Sequence, residues 1–435
     1  MFCFNNKYKI LIVFLTLGLS LSGQRTGLDL LGSKHRIEIP FNQSNGLLLI
    51  ELKMNGIPLT FMYDTGAENT ILFKKEIAVF LGLESDRRIR IIGSDLSDAI
   101  YGFIVHNVNF KIRSEVQRVE SIIVLEDNVY KIQESTGHQI DGLLGGNFFR
   151  NTIVKIDYRR SKIIVQHPVK AKLNLVGYEE VSSVFYEQKP YLKAKLKNFE
   201  GNQRDIILLI DTGSSIPFIL HTNVDSNLQV PKHLIRGNLG IGLSGTLIGL
   251  IGIISRLDLD GFRFNELLTH FQELDETVLE QKDIIRHGIL GNDILKRFTI
   301  IVDYFQRKVY FKPSKNYNKA FEYDKSGLIF IASGLDFNEY FVRALVPDSP
   351  AKKAGLQKGD KLLSLQRIPA SFRSLGNIQK FLKRKTGTRV RMKVLRGDEK
   401  IVFRFTLYDM LKENLTELIQ NSDTGTVLQY SEASN

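Results

Sequence analysis

The sequence has 435 residues, of which 43% are hydrophobic and 24% charged, a composition typical of a globular chain with room for about two to four domains. Its 59 basic and 47 acidic side chains give a formal charge of +12. Because the basic excess is spread along the chain without a basic-aromatic cluster, we expect no nucleic-acid binding. The single cysteine, Cys3, lies at the extreme N-terminus, which excludes disulfides, cysteine catalysis and cysteine-ligated metal from the rest of the chain.

The N-terminal segment is typical of a secretory signal. Lys7 and Lys9 precede an apolar run at 10–21, and small residues follow that run. The run is too short to favour a membrane span. We therefore expect residues 1–23 to be a signal peptide and the protein to be exported, to the periplasm or the extracellular space. An uncleaved N-terminal membrane anchor is the alternative.

Residues 24–315 are predicted to be mostly short β-strands. Apolar and β-branched runs such as PLTFMYD, IILLID and FTIIVDY alternate with segments rich in turn residues. Strands of this length and spacing favour a mainly β fold over a helical or alternating one.

An internal repeat divides this β-rich region into two halves. Three blocks occur twice, in the same order and 146 or 147 residues apart. The pairs are YDTGAEN at 63–69 with IDTGSSI at 210–216, GSDLSDAIYG at 93–102 with GIGLSGTLIG at 240–249, and DGLLGGN at 141–147 with HGILGND at 287–293. The repeat predicts two related lobes, at 35–170 and 175–315.

The repeat makes Asp64 the equivalent of Asp211. Two lobes related by a pseudo-twofold axis would bring both carboxyls into one site, where like charges cannot both ionise and therefore share a proton. One carboxylate can then act as general base on a water molecule while the protonated one donates to a substrate carbonyl. This chemistry requires no metal, cofactor or covalent intermediate.

These blocks resemble the aspartic proteases, in particular single-chain bacterial members whose lobes are similar to retropepsin subunits. The resemblance covers residues 35–315 and rests on both Asp-Thr-Gly turns together with Leu143-Leu144-Gly145 and Ile289-Leu290-Gly291. It implies a two-lobed, pseudo-twofold aspartic-protease β-barrel fold with Asp64 and Asp211 as the catalytic pair.

The resemblance also implies roles around that pair. Thr65 and Thr212 would hydrogen-bond across the site, and Gly66 and Gly213 would let backbone N–H groups approach the carboxylates. The remaining residues implied are Ser214 as a support and Glu68, Gly93, Gly240 and Gly242 as substrate-binding residues, the three glycines lying in two predicted flaps at 90–105 and 237–253. Glu68 stands where retropepsins usually carry aspartate, and Ser214-Ser215 is the pepsin-like form.

Other motifs are interpreted as structural. A third Asp-Thr-Gly at 423–425 has no preceding strand and no following apolar-glycine block, so we read it as an ordinary turn. The segment 240–245 satisfies GxGxxG, but the residues after it favour a strand and not the helix that dinucleotide binding requires. His287, which replaces Asp141 between the repeats, is interpreted as a structural residue of the second lobe.

The region after residue 315 changes character. Ser349-Pro350-Ala351, Ala354-Gly355-Leu356 and Gly359-Asp360 make residues 320–408 similar to a PDZ domain, an α+β fold, followed by a tail at 409–435. Such domains add an extended peptide to a sheet edge and hold its terminal carboxylate on backbone N–H groups. The implied peptide-binding residues are Gly327, Leu328, Ile329, Phe330, Ile378 and Phe381, with Ile329 in place of the usual second glycine.

Together these features predict an exported aspartic endopeptidase that acts on protein or peptide substrates as a monomer. The PDZ domain would bind a peptide C-terminus or an internal segment, for recruitment or regulation. The alternative is a non-catalytic peptide-binding scaffold with a protease-like fold.

Overall fold

The computed structural model describes residues 34–411 except 94–99, 113–115, 128–129, 242–245, 275–285 and the single positions 200, 229 and 232. The predicted signal peptide, residues 412–435 of the tail and the third Asp-Thr-Gly lie outside the described residues. Within them, no helix has both the length and the apolar character needed to cross a membrane.

The first lobe is almost entirely β. Its strands are β1 (Arg36–Pro40), β2 (Asn42–Ser44), β3 (Leu47–Met54), β4 (Ile57–Tyr63), β5 (Ile71–Leu72), β6 (Ser85–Ile91), β7 (Ile100–Ile112), β8 (Val116–Leu125), β9 (Gly142–Leu144), β10 (Ile153–Asp157) and β11 (Lys162–Gln166). Its helices are α1 (Lys75–Phe80), α2 (Tyr130–Thr136) and a 3-10 turn at Gly146–Phe149. Asn45-Gly46 and Asn55-Gly56 both have positive φ angles, which suits the two-residue turns that join β2 to β3 and β3 to β4.

The second lobe follows the same pattern. Its elements are β12 (Glu179–Val181), β13 (Ser183–Tyr186), β14 (Lys189–Lys197), β15 (Gln203–Asp211), β16 (Phe218–His221), β17 (Ile235–Ile241), β18 (Thr246–Leu259), β19 (Phe262–Gln272), β20 (Gly288–Gly291), α3 (Asn292–Leu295), β21 (Phe298–Asp303) and β22 (Lys308–Pro313).

Sheet topology repeats between the lobes strand for strand. The first lobe has an eight-stranded sheet of order β2-β3-β4-β9-β5-β8-β7-β6, and the second has β13-β14-β15-β20-β16-β19-β18-β17. Even the additional pairings correspond, β3 with β7 and β14 with β18. The predicted mainly β, two-lobed pseudo-twofold fold is therefore confirmed.

A six-stranded sheet of order β1-β11-β10-β21-β22-β12 joins the lobes. β10 of the first lobe pairs antiparallel with β21 of the second, which sets Ile156 opposite Ile300. One buried apolar cluster runs from Ile37 to Phe311 through both lobes. Because burying apolar surface is the main favourable term in folding, a shared core fixes the lobes against each other.

The C-terminal region has its own sheet and core. Its elements are β23 (Leu328–Ser333), β24 (Glu339–Leu345), α4 (Pro350–Lys353), β25 (Lys361–Leu365), β26 (Ile368–Pro369), a 3-10 turn at Ala370–Phe372, α5 (Leu375–Leu382), β27 (Arg389–Arg396) and β28 (Glu399–Thr406). Ser349 caps α4, and Pro350 occupies its first turn, as the sequence motif favours. Sheet order is β23-β24-β25-β27-β28, so β23 lies at an edge.

Candidate active site

Two Asp-Thr-Gly turns meet at the lobe interface. Asp64 directly follows β4, which runs parallel to β9 with Tyr63 opposite Leu144. Asp211 ends β15, which runs parallel to β20 with Asp211 opposite Gly291. The Asp64 N–H donates to the Leu144 carbonyl at 3.0 Å. The apolar-glycine strands therefore support both turns from below.

Reciprocal threonine hydrogen bonds tie the two turns together. The Thr65 N–H donates to Thr212 Oγ1 at 3.0 Å, and the Thr212 N–H donates to Thr65 Oγ1 at 3.1 Å. The Thr65 hydroxyl donates to the Ile210 carbonyl at 2.7 Å, and the Thr212 hydroxyl donates to the Tyr63 carbonyl at 2.8 Å. Both threonines are fully buried, so losing either would leave polar groups of the other lobe unsatisfied.

Glycine is required beside each aspartate. The N–H groups of Gly66 and Gly213 each donate to Oδ1 of the aspartate two residues earlier, both at 2.7 Å. A methyl group at Gly66 would lie 2.7 Å from Cγ of Asp211, and one at Gly213 would lie 2.6 Å from Cγ of Asp64. Each carboxyl thus packs directly against the opposite turn, which brings the two predicted aspartates into one site.

Burial and mutual proximity set the electrostatics of the pair. Asp64 is 5% and Asp211 1% exposed. Loss of solvation, then the charge of Asp211 and the hydrogen bond with it, raises the pKa of Asp64 well above its usual value, against smaller lowering by the Gly66 and Ala67 N–H groups. The pair therefore holds a proton at a pH where an ordinary aspartate is ionised.

Residues that the sequence reasoning missed support the site from beneath. The hydroxyls of Tyr63 and Tyr304 lie 3.2 Å apart in the core between the lobes. Asn292 donates its side-chain amide to the Thr212 carbonyl and accepts from the Tyr158 hydroxyl at 2.6 Å, linking the second turn to the first lobe. One signal was visible: Asn292 interrupts the repeat at the position of Gly146.

Glu68 lies at the first-lobe edge of the site. Partial burial and the charge of Glu187 raise its pKa, while an amide hydrogen bond from Asn147 at 3.3 Å and the charge of Lys189 act in the opposite direction. Glu187 and Gln188 form a turn with φ angles of 48° and 60°, although neither is glycine. The equivalent turn of the first lobe is Asn45-Gly46.

The structure describes some of the other predicted residues of this site but not all of them. The Ser214 N–H donates to the Asp211 carbonyl at 3.3 Å, and its own carbonyl accepts from the Asn292 N–H at 2.8 Å. Gly93 is buried just after β6, and Gly240 belongs to β17. The hairpin tips at 94–99 and 242–245, with Gly242, lie outside the described residues. Their contact with a substrate stays a prediction.

The predicted peptide-binding residues of the C-terminal domain lie in its core, beside a cavity or, for Leu328, in both places. Leu328, Phe330, Ile378 and Phe381 belong to the buried core, with Ile378 fully buried. Gly327, Leu328 and Ile329 line a cavity of about 1420 Å³ between this domain and the lobes. Gly327 has a φ of 74°, and a Cβ there would meet that of Ser349 at 2.2 Å, so this turn requires glycine.

Family models match both regions. A model described as aspartyl protease matches residues 50–148, and one described as PDZ domain matches residues 341–396. The chain contains an aspartyl protease domain and a PDZ domain. The predicted architecture is thus confirmed, with the first match confined to the first lobe; the second lobe is related to it by the sequence repeat and the shared topology.

No curated protein matches the sequence. Among solved structures, the chain is similar to basic 7S globulin from soybean, with a TM-score of 0.40 and 10% identity over 66% of this chain and 97% of that one. Over the portion of the chain that the structure describes, no group of three or more histidine, cysteine, aspartate or glutamate side chains is arranged to hold a metal ion.

Proposed function

We propose that the protein is an aspartic endopeptidase that hydrolyses peptide bonds in protein or peptide substrates, with Asp64 and Asp211 as its catalytic residues. The observation that carries the proposal is the reciprocal packing of the aspartates: a methyl group on the glycine of either turn would overlap the carboxyl of the other. Two buried carboxyls in this arrangement are suited to share one proton and to hold one water molecule.

In the proposed mechanism, Asp64 holds the shared proton and Asp211 is ionised. Asp211 takes a proton from the water molecule while the water oxygen bonds to the substrate carbonyl carbon. At the same time, Asp64 donates its proton to the carbonyl oxygen. The tetrahedral intermediate then collapses as the amide nitrogen accepts a proton from Asp211 and the carbon–nitrogen bond breaks. Asp64 recovers its proton from the intermediate's hydroxyl, which restores the starting state.

The PDZ domain would recruit a substrate or partner through a peptide segment, and we further propose that the protein is exported. Recruitment by a second module raises the local concentration of a chosen substrate without altering the catalytic site. The large cavity shared by the PDZ domain and the lobes supports a joint role, because it places both domains next to the same space.

The test is cleavage of a diverse peptide library by the full chain, from about pH 3 to about pH 8, with products mapped by mass spectrometry. We expect defined cuts that disappear in Asp64→Asn and in Asp211→Asn. The chain supplies a matched control in Asp423→Asn, which alters the third Asp-Thr-Gly and should leave the cuts intact. Cuts that persist in Asp211→Asn would refute the mechanism, and binding without cleavage would identify a non-catalytic scaffold.

A further inference from the structure

Equivalent turns of the two lobes lie at the two ends of the catalytic site. At one end, the Asn45-Gly46 turn packs on the second lobe, where a Cβ at Gly46 would lie 3.1 Å from that of Ser215. At the other end lies Glu68, the equivalent of Ser215, whose pKa is raised by partial burial and by the charge of Glu187 on the equivalent turn. Because a pseudo-twofold axis relates the lobes, the two turns mark opposite ends of one cleft.

The end at Ser215 borders the large cavity between the lobes and the PDZ domain. Gly46 and Ser215 line this cavity of about 1420 Å³, together with Gly237 and Ile251 of the second-lobe strands β17 and β18. Its other walls include α5 of the PDZ domain and the segment 314–324, which joins that domain to the second lobe. A polypeptide that lies across the catalytic pair and leaves at this end would therefore pass into the cavity.

The edge strand of the PDZ sheet is not part of this path, because the first lobe covers it. A Cβ at Gly137, just after α2, would lie 3.2 Å from that of Leu375 on α5 and 3.5 Å from that of Ala332 on β23. Glu134 of α2 faces Arg343 of β24, with 3.9 Å between Oε2 and Nη1. The groove between β23 and α5 is thus closed by the lobe, and the PDZ domain meets the cavity with the exposed side of α5.

The cavity carries an excess of unpaired positive charge. The exposed cations that line it are Lys380 and Lys383 of α5, together with Arg159, Lys315 and Lys319. None of these five forms an ion pair with any residue that the structure describes. Of the acidic groups in the lining, Asp293 is paired with Lys296 and Asp324 accepts from the Ser326 and Gly327 N–H groups, which leaves Glu51 and Glu322.

The opposite end of the cleft has carboxylates in place of this cationic wall. Glu187 is paired with Lys189 at 3.2 Å, and Glu68 takes part in no ion pair within the described ranges. The cleft is therefore polarised, positive where it meets the cavity and negative at the equivalent place in the other lobe. Complementary charges at the two ends favour one orientation of a charged ligand over the reverse.

We propose that the PDZ domain and the segment before it complete one end of the substrate cleft, which then selects polypeptides that are acidic on one side of the cleaved bond. Acidic side chains on that side would face Lys380 and Lys383 in the cavity, while a basic side chain on the other side would face Glu68. The inference rests on the proposed function for the position of the cleaved bond, but the preference for one orientation requires binding alone.

The test is binding of two peptides of identical composition to the full chain carrying Asp64→Asn. Both contain the core Ser-Val-Phe-Phe-Val-Ser; one has three Glu before it and three Lys after it, and the other has these flanks exchanged. Each carries fluorescein on an N-terminal Gly-Gly spacer and an amidated C-terminus. Because net charge is the same, non-specific attraction is equal, and fluorescence anisotropy in about 0.15 M salt should show one order binding at least about tenfold tighter.

Charge reversals locate the preference. The double variant Lys380→Glu and Lys383→Glu should bring the two orders within about threefold of each other. Its matched control is Lys400→Glu with Arg404→Glu, an equal charge change on exposed β28 outside the cavity, which should leave the preference intact. A third probe with uncharged Ser-Gly flanks should bind the parent and both variants alike, which shows that the cleft is still folded.

The inference fails if the two orders bind within about twofold, if neither binds, or if the preference survives in the Lys380→Glu and Lys383→Glu double variant. Its failure is distinguishable from failure of the proposed function. A preference in the Asp64→Asn chain without cleavage by the parent chain would refute the endopeptidase and leave the polarised cleft standing. Cleavage by the parent chain with equal binding of the two orders would do the reverse.

Discussion

Asp141 in the first lobe and His287 in the second make the same pair of hydrogen bonds to a neighbouring strand, although their side chains differ. In the first lobe the Asp141 N–H donates to the Thr60 carbonyl at 2.7 Å, and the Thr60 N–H donates to Asp141 Oδ2 at 2.9 Å. In the second, the His287 N–H donates to the Ile207 carbonyl at 2.8 Å, and the Ile207 N–H donates to His287 Nδ1 at 3.1 Å. The position needs an acceptor atom and not a particular residue, which agrees with the structural role predicted for His287.

The lobes differ more at the edges of the site. Glu68 of the first lobe lies near Glu187 and Lys189, whereas its equivalent, Ser215, lies against the backbone of Gly46. Only at Asp-Thr-Gly do the two turns keep identical residues side by side. The comparison separates a symmetric centre, where each lobe completes the other, from edges that differ in charge.

The largest effect is expected at that symmetric centre. Because the aspartates act as one unit, Asp64→Asn and Asp211→Asn should each lower kcat by at least about a thousandfold, and the double variant should be little worse than either. Steady-state kinetics on a peptide from the library would measure this. Multiplicative losses in the double variant would show that the carboxyls act independently.

The reciprocal threonine bonds predict equal effects in the two lobes. Thr65→Val and Thr212→Val each remove a hydroxyl that accepts from the opposite N–H and donates to an opposite carbonyl, so each should lower the free energy of unfolding by about 1–3 kcal/mol. Urea unfolding would measure it, with Thr65→Ser and Thr212→Ser as controls that keep the hydroxyl. A much smaller loss in one lobe would contradict the symmetry.

The sequence predicted this centre but not its supports. Asp64 and Asp211 could be paired because the repeat carries a strand before and an apolar-glycine block after each turn. The bonds of Asn292 to Tyr158 and to the Thr212 carbonyl join segments far apart in the chain, and no local pattern encodes them. The turn at 187–188 was equally invisible, because it has positive φ angles without the glycine that usually signals them.

The Asp141 and His287 pair can be tested for equivalence. Asp141→Ala and His287→Ala each leave one N–H without its acceptor, which should cost about 1–2 kcal/mol of unfolding free energy. Asp141→Ala also removes the contact of this buried carboxylate with Lys74 at 3.0 Å. Urea titrations at neutral pH would measure both losses. Asp141→Asn, which keeps an acceptor, should lose less unfolding free energy than Asp141→Ala. No measurable loss in either alanine variant would contradict this account.

The asymmetry between Ala67 and Ser214 predicts a shift in pH dependence. Activity should fall as pH rises through the raised pKa of Asp64, because Asp64 then loses the proton that it donates. The raised pKa also contributes to the stability of the fold. That contribution is fully present below the pKa that Asp64 has in the unfolded chain, and it is lost as pH rises through the pKa in the folded chain. In Ala67→Ser, a hydroxyl near the ionised Asp64 should lower that pKa and move the upper limit of activity down by about half a pH unit. Profiles of kcat/KM against pH would show the shift. A shift upward would be inconsistent with hydrogen bonding to the ionised form.

The smallest effect is expected at the charged edge, and it concerns which substrates are preferred. Glu68 lies close enough to Glu187 to feel its charge, so a substrate with a basic residue near the cleaved bond should lose affinity in Glu68→Gln, raising KM by about threefold with little change in kcat. The matched change in the second lobe, Ser215→Ala, removes no charge and should not alter the preference between basic and acidic substrates. Paired peptides differing by Lys or Glu at one position would measure the ratio. If Glu68→Gln lowered kcat and left KM unchanged, Glu68 would act on the catalytic pair and not on the choice of substrate.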